Sequence, residues 1–443
     1  MSAREIFVVG LSHRTAPLEI RERLAIPAEQ LTEDLRALVA TGSVDETVVI
    51  STCNRVEVYA AATDPVLGSR AARQWLAQRA KSSDLDAHLY ERSGGDAVSH
   101  VFRVASSLDS MVLGEPQILG QVKDAFTAAE GAGTAGAMLS RCFQKAFTVA
   151  KRVRSETGIA AGSVSVSNIA CELAAKVFGK LEGRRVLLVG AGEMAEAAAK
   201  VLRNDGARLV VLNRSLERAQ TLAAAYEGEA RTFEDLAAEL TLADVVISST
   251  ASPRFVITHE VMQTVVKARR HRLMLLVDIA VPRDIDPRVG DFENVFLYDV
   301  DQLESVSRGA VDARRKEAES AERIVQGEVL EFESWRKSLE LTPTIVALRT
   351  RFREVVMAEL ERTAPRLRSL SDEDRKSLEK MGDAMVNKLL HQPLTELKKG
   401  VEADHGGQLL HAVRRLFDLD RGDAPAATPP AKNAATAVAK GEL

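Results

Sequence analysis

Val186-Leu187-Leu188-Val189-Gly190-Ala191-Gly192-Glu193-Met194-Ala195 is an apolar run that enters a glycine-rich turn and leaves it with a helical pattern. A strand, a G-x-G-x-x-A turn and a helix form the fingerprint of a dinucleotide site, where free N–H groups at the helix N-terminus hold the pyrophosphate. A lone fingerprint is weak, but a second strand follows here at the expected distance, over 208–212. Strands over 185–189, 208–212, 244–248 and 273–279, with helices between them, predict a doubly wound parallel sheet of the Rossmann type. The second strand ends Leu212-Asn213-Arg214-Ser215, where an NAD enzyme usually carries an acid for the ribose hydroxyls. Arg214 and Ser215 suit a 2′-phosphate instead, so the expected cofactor is NADPH, held by Gly190, Ala191, Gly192, Glu193, Met194, Ala195, Asn213, Arg214 and Ser215. A merely solvated Arg214 is the plainer alternative. Ser248-Ser249-Thr250-Ala251-Ser252-Pro253 and Asp278-Ile279-Ala280-Val281-Pro282-Arg283-Asp284 lie at carboxyl ends of later strands, where ligands of open α/β sheets bind. They are expected to line the nicotinamide half of the site, although ordinary turn chemistry also explains them.

Upstream, Val48-Val49-Ile50-Ser51-Thr52-Cys53-Asn54-Arg55-Val56-Glu57-Val58-Tyr59 reads as two strands joined at a Cys-Asn-Arg corner. The corner holds the Cys53 thiol at a rim, and Arg55 brings a charge that favours the thiolate and can grip a substrate carboxylate. A presented cysteine with a nicotinamide site suggests that the thiolate attacks an activated acyl group, and that hydride reduces the resulting thioester to an aldehyde. A buried strand-end thiol is the plainer reading of Cys53. Cys142 and Cys171 fall within helical patterns and read as small core residues. His100 reads either as a packed helix histidine or as an assistant to proton transfer near the cysteine. The segment from Leu108 to Lys123 gathers Ser110, Glu115, Gln117, Gln121 and Lys123 around glycines and Pro116 between two helices. Hydroxyl, carboxylate and amides converging in this way suit an amino-acid pocket, and helix capping is the alternative.

Strands over 5–10, 47–52 and 56–62 with a helix from Pro27 to Ala40 predict a small antiparallel sheet backed by helices, followed by helices near 69–80, 95–106, 117–130 and 134–156. After Asp301 the chain turns wholly helical and charged. Val311, Ala318, Val325, Phe332 and Leu339 recur every seven residues, a narrow stripe suited to a long helix lying on its own protein. Thr342-Pro343-Thr344 is expected to break it. A helical block over 344–419 is too amphipathic to be comfortable alone and predicts self-association. The Ala/Pro/Lys-rich end reads as disordered. The expected fold is thus multidomain α/β: an α+β catalytic domain (1–160), a Rossmann NADPH domain (161–301), a long connecting helix (302–342), a helical dimerisation domain (343–421) and a tail (422–443).

The bulk numbers fit a soluble enzyme of two or three domains. Of the 443 residues 46% are hydrophobic, enough for ordinary cores, and the three scattered cysteines point to a reducing compartment. The cytosol is the expected location, because a strand begins almost at once after Met1 and no apolar run approaches the roughly 20 residues that span a bilayer. The eight histidines show no metal-ligand spacing, so no metal is expected. A net charge of −4 argues against nonspecific nucleic-acid binding, leaving two local basic patches, Arg141 to Arg154 and Arg349 to Arg353, as candidate RNA contacts or solvated helix faces.

Gly10-Leu11-Ser12-His13-Arg14-Thr15-Ala16-Pro17, Ser51 to Arg55, Ser110 to Lys123, Gly190 to Ala195 and Asp278 to Asp284 occur together in the order found in the glutamyl-tRNA reductase family, which the chain resembles over roughly residues 6 to 420. Ser12 stands where many relatives have Asn. The resemblance implies that Cys53 displaces tRNA from the glutamyl ester. It also implies that Thr52, Asn54, Arg55, Ser110, Glu115, Pro116, Gln117 and Gln121 surround the glutamate, that His100 matters for activity and that Ser165 touches substrate from the domain junction. The implied reaction converts glutamyl-tRNA(Glu) and NADPH to glutamate-1-semialdehyde, tRNA(Glu) and NADP⁺, the first committed step of tetrapyrrole synthesis. A V-shaped homodimer with a spinal helix is implied, as is transient docking of glutamate-1-semialdehyde aminomutase. Two other classes use the same motifs: a cysteine-dependent aldehyde dehydrogenase acting on a free metabolite, and a noncatalytic NADPH-binding regulator.

Overall fold

A computed structural model describes residues 4–81, 84–111, 113–115, 117–160, 165–270, 272–307, 311–363, 371–402 and 406–419; Pro116 and the tail over 422–443 lie outside the described residues. The chain divides into two compact units, residues 1–330 and 331–443.

In the first lobe of unit one, β1 (Glu5–Ser12), α1 (Leu18–Leu24), α2 (Ala28–Ala40), β2 (Glu46–Ser51), β3 (Arg55–Ala62), α3 (Pro65–Ala80), β4 (Tyr90–Ser93), α4 (Gly94–Ala105), α5 (Gln117–Ala132) and α6 (Ala137–Glu156) follow in order. The strands form an antiparallel sheet in the order β2-β3-β1-β4. Apart from Glu5 at its edge, β1 and β3 are buried along their whole length, which explains the apolar run of β1. Arg55, Glu57 and Tyr59 break the apolar run of β3 at every second position and so share one face. Gly10 pairs with Glu57 in β3, and a Cβ there would lie 2.6 Å from the Val56 carbonyl oxygen and 2.8 Å from Glu57 Cα, so only glycine permits this approach. The buried Glu46 carboxylate accepts from the Leu139 N–H at 2.7 Å and the Met138 N–H at 3.3 Å, capping the positive end of α6. The short β4, Tyr-Glu-Arg-Ser, was not expected, because a polar edge strand carries no apolar signal.

The second lobe begins with α7 (Val166–Phe178) and runs through β5 (Arg185–Val189), α8 (Glu193–Asn204), β6 (Arg208–Leu212), α9 (Leu216–Ala225), β7 (Glu229–Arg231), α10 (Leu236–Leu242), β8 (Val245–Ser248), α11 (His259–Arg269), β9 (Met274–Asp278), β10 (Val295–Asp299) and α12 (Val300–Ser307). Its strands form a parallel sheet in the order β10-β9-β8-β5-β6-β7. Alternate strand residues feed two separate cores: Val186, Leu188, Val211, Ile247 and Val277 face α7 and α8, whereas Leu187, Val189, Val210, Val246 and Leu276 face α10 and α11. Such two-sided burial is the physical reason that a parallel strand reads as an unbroken apolar run. The edge strands β7 and β10 escaped the sequence reading.

A continuous helix, α13 (Val311–Thr363), runs through Pro343. Its first turns are tied to the first lobe by charge: Glu317 accepts from the Gly158 N–H at 2.6 Å, Glu322 pairs with Arg103 at 2.8 Å, and the buried Glu328 is bridged by Lys145 and Arg152. Lys145 and Arg152 of the first basic patch are therefore spent on holding this helix. Ala321, Val325, Glu328 and Phe332 are buried and Leu339 is 40% exposed, so the core stripe has a second position, at 321 and 328, that a strict seven-residue repeat misses.

The expected break at Pro343 does not occur. Pro343 is exposed, while Leu341, Thr344 and Leu348 around it are buried, and in unit two Leu341 packs with Leu397 and Leu348 with Val386, Leu390 and Leu394 of α14 (Asp372–Glu402). Burial on both sides of the proline outweighs the single backbone bond it lacks. A last helix, α15 (Gly406–Leu416), adds Leu410 and Val413 to these clusters. Among the described residues no helix is long and apolar enough to cross a membrane. Since an interior proline costs a helix about 3 kcal/mol, Pro343→Ala should raise stability by about 2 kcal/mol in urea denaturation at fixed protein concentration, after allowing for the stiffer unfolded chain of the wild type. A fall would show that the packing depends on a proline-induced bend.

Candidate active site

The β2–β3 hairpin turns over Thr52, Cys53 and Asn54. The Thr52 N–H donates to the Arg55 carbonyl at 2.9 Å, the Asn54 N–H to Thr52 Oγ1 at 3.2 Å, and the His13 N–H to the Asn54 carbonyl at 2.8 Å. These bonds hold a half-buried Cys53 at the sheet's end, while Cys142 and Cys171 are each only 1% exposed. Burial, and after it the Glu115 carboxylate, push the Cys53 thiol up to about 12; Arg21 and, more weakly, Arg55 act the other way.

Arg55 is not the free cation that the sequence suggested. Its guanidinium is 1% exposed, with Nη1 donating to Glu57 Oε1 at 2.5 Å and Nη2 to the Asp109 carbonyl. Glu57 also accepts from Tyr59 at 2.7 Å and from Tyr90, and lies 2.8 Å from His100 Nε2. Burial alone would raise the Glu57 carboxyl, but Arg55 and then His100 hold it well below the usual carboxylate range. Arg55 is compensated from within the sheet and has little charge to spare for substrate. His100 is buried between the Tyr59 and Tyr90 rings, 3.5 Å from Asp109 on its Nδ1 side, and is not among the residues that wall the cavity at the Cys53 corner. The signal for Glu57 was present in the sequence, as an acid at strand spacing from Arg55 within an apolar run.

A cavity of about 160 Å³ opens at this corner. The first lobe contributes Thr52, Cys53, Asn54, Arg55, Ser110, Glu115, Gln117, Ile118 and Gln121 to its wall, and the second lobe Met194, Ser249, Thr250, Ile279, Ala280 and Val281. All the described residues expected around the glutamate are thus brought together, except Ser165. Ser165 Oγ instead caps α7, accepting from the Asn168 N–H at 3.2 Å, although the next residue, Val166, donates its N–H to Glu115. Ile118 and the second-lobe wall complete the site. The space is small by the standard of drug-sized pockets and suits a short acyl group. Burial raises the Glu115 carboxyl to about 7. Asn54 Oδ1 and Ser249 Oγ are buried without a hydrogen-bond partner among the described residues, which marks polar groups awaiting a ligand.

The second-lobe loops are held by two buried acids. Asp284 accepts from Ser248 Oγ and the Thr250 N–H, both at 2.7 Å, and Asp278 from the Ile285 N–H at 2.8 Å and the Ala280 N–H at 3.1 Å. These bonds fix Thr250, Ala280 and Val281 on the cavity wall. Gly190 has φ 111°, and a Cβ on it would lie 2.7 Å from the Ser249 carbonyl oxygen. Gly192 is the N-cap of α8, and a Cβ there would meet nothing within 4 Å. Glu193, Met194 and Ala195 form the first turn of that helix, which no side chain caps, and Met194 lies on the cavity wall. The turn after β6 places Asn213, Arg214 and Ser215 at the N-terminus of α9, with Arg214 exposed and Ser215 Oγ accepting from the Arg218 N–H at 3.4 Å. This cradle fits a dinucleotide phosphate.

Glu115 loses its proton near pH 7, and its charge opposes charge on the Cys53 sulfur. Glu115→Gln should therefore speed alkylation of Cys53 by iodoacetamide about threefold to tenfold at pH 8 and leave it unchanged below pH 6, where Glu115 is already neutral. Mass spectrometry across this range reads the result, and a slower variant at pH 8 would mean that Glu115 accepts the thiol proton.

Three family models match the chain: the one described as glutamyl-tRNAGlu reductase, N-terminal domain, over residues 9–157; shikimate / quinate 5-dehydrogenase over 172–306; and glutamyl-tRNAGlu reductase, dimerisation domain, over 320–419. Glutamyl-tRNA reductase from Geotalea daltonii is 47% identical over 418 residues, covering 94% of this chain and 96% of its own. The Geobacter sulfurreducens protein of the same name is 48% identical over 417 residues, covering 94% and 96%. The solved structure of glutamyl-tRNA reductase from Methanopyrus kandleri, 32% identical, matches with a TM-score of 0.51 over 95% of this chain and 100% of its own. With the cysteine corner, the two-lobed cavity and the dinucleotide cradle in one unit, the chain belongs to the glutamyl-tRNA reductase family, a family of oxidoreductases.

Proposed function

We propose that the chain reduces glutamyl-tRNA(Glu) to glutamate-1-semialdehyde with NADPH, through a thioester on Cys53, as the first committed step of cytoplasmic tetrapyrrole synthesis. The observation that carries this reading is that one cavity is walled both by the Cys53 corner and by the strand ends beside the dinucleotide cradle. The Cys53 thiolate attacks the ester carbonyl carbon; a C–S bond forms, the C–O bond to the tRNA ribose breaks, and the released oxygen takes a proton. When bound, NADPH supplies the hydride that takes the thioester to the aldehyde and frees the thiolate.

The remaining roles belong to side chains. Glu115 and Asn54 Oδ1 are the acceptors available to the α-ammonium of the glutamyl group, whose charge would draw Glu115 into its ionised form. Ser110, Gln117 and Gln121 offer donors for its oxygens. Ile118, Met194, Ile279 and Val281 exclude water that would otherwise hydrolyse the thioester. Gly190 to Ala195 would hold the pyrophosphate, and Arg214 the 2′-phosphate. On α14, Met381, Met385 and Leu389 expose 50%, 52% and 61% of their surface along one stripe, and the homodimer is read as burying it. The aldehyde is taken to pass to a transiently docked aminomutase, as the family resemblance implies.

Incubation with glutamyl-tRNA labelled in its glutamate, without NADPH, should leave the label on Cys53, and Cys53→Ser should remove both the label and the reduction while sparing tRNA binding. Reduction by the serine variant at a tenth of the normal rate would rule out the thioester. Arg214→Asp should reverse the kcat/KM preference between NADPH and NADH, because the carboxylate repels a 2′-phosphate and accepts from ribose hydroxyls. An unchanged ratio would remove Arg214 from the cofactor site.

A further inference from the structure

The short helix α1 carries charged contacts from the first lobe to the second. Glu22 accepts from the Arg283 N–H at 2.6 Å and pairs with its guanidinium at 2.9 Å, and Glu19 meets the same guanidinium at 3.3 Å. Leu18 is buried in the core shared with α7 and α8. Between these lies Arg21, 1% exposed, whose three guanidinium nitrogens are all engaged: Nε with the Ala16 carbonyl at 3.3 Å, Nη1 with the Cys53 carbonyl and Nη2 with the Asp301 carboxylate at the start of α12. One side chain thus links the backbone of the nucleophile to an acid of the other lobe.

We propose that Arg21 is a positioning residue that fixes the Cys53 corner against the parallel-sheet lobe, its guanidinium reaching from the Cys53 carbonyl to the Asp301 carboxylate. The geometry makes the two lobes' meeting part of the cysteine's own surroundings. Only while Asp301 faces α1 is Nη2 held, and with it the orientation of Nη1 on the Cys53 carbonyl. The charged groups that face the sulfur are Glu115 from the loop before α5, Arg55 from β3 and Arg21 from α1. Of the two cations, Arg21 acts on the thiol more strongly than Arg55 in opposition to Glu115 and burial. Attack by Cys53 is thereby favoured when the wall that carries Met194, Thr250 and Ala280 is also in place, and an acyl group is not taken up at a half-built site.

The inference rests on reading Cys53 as the nucleophile, but alkylation of the thiol reports it directly, whether or not an acyl-enzyme forms. With Cys142 and Cys171 buried, the iodoacetamide rate of the full chain reads Cys53, and Cys53→Ala supplies the baseline. Arg21→Gln should lower this rate about tenfold throughout a profile from about pH 7 to about pH 9, with Arg21→Lys recovering much of the loss. Asp301→Asn, at a side chain 35% exposed, should shift the profile the same way by a smaller amount, because the guanidinium loses its anchor. Glu22→Gln, which weakens the neighbouring lobe contact without touching Cys53, should leave the profile in place. The proposal is overturned if Arg21→Gln and the wild type have superimposable profiles. It is equally overturned if Asp301→Asn speeds alkylation, since the carboxylate would then only neutralise Arg21, or if Glu22→Gln shifts the profile as much as Asp301→Asn does.

Discussion

The ion pair between Arg55 and Glu57, 1% and 0% exposed, is the constraint on which the first lobe is organised. Taking two such charges out of water costs several kcal/mol per ion, and their attraction offsets this only when every remaining polar atom is also satisfied. The sheet supplies that satisfaction: Tyr59 lies on the same face of β3, Tyr90 comes from the edge strand, His100 from α4 and the Asp109 carbonyl from the segment after it. Four elements are thereby drawn to one point directly beneath the hairpin that carries Cys53. Removing Arg55 or Glu57 would leave the other a buried charge without its counter-ion, and the network ties the hairpin to the elements that supply its remaining partners.

The thiol itself is built in an adverse electrostatic setting. Burial and Glu115 both oppose the thiolate, and the cation two residues away is already consumed. A thiol kept protonated at rest is protected from oxidation and from adventitious electrophiles. A cation placed beside Glu115 would change the local charge in the direction that favours the thiolate.

Much of the fold was legible because local pattern and tertiary burial agree. The parallel strands read as apolar runs since both faces are covered, and the glycine spacing located the cradle since a side chain at Gly190 would strike Ser249. Legibility failed where burial works against local preference. Pro343 reads as a stop, yet Leu341 and Leu348 on either side are held by α14, and tertiary packing carries the helix through. The edge strands β4 and β7 are short and polar and carry no apolar run to mark them. In the site, residue types and their convergence on a cavity were readable from sequence. The direction of Arg55 was not, because it depends on Asp109 and His100, which lie far away in sequence. Arg21 was invisible for the same reason, its partners being Cys53 and Asp301.

Gly10 touches neither cavity nor cradle, yet its missing Cβ is what lets β1 lie against Glu57. A methyl group there would be forced into the acid that anchors Arg55, and every element drawn to that pair would feel the displacement. In a census of inactivating alleles this position would stand beside those of the cavity wall, although it contacts no ligand. A map of mutational tolerance drawn on distance from the reacting sulfur would therefore misplace it, whereas one drawn on distance from the buried charge pair would not.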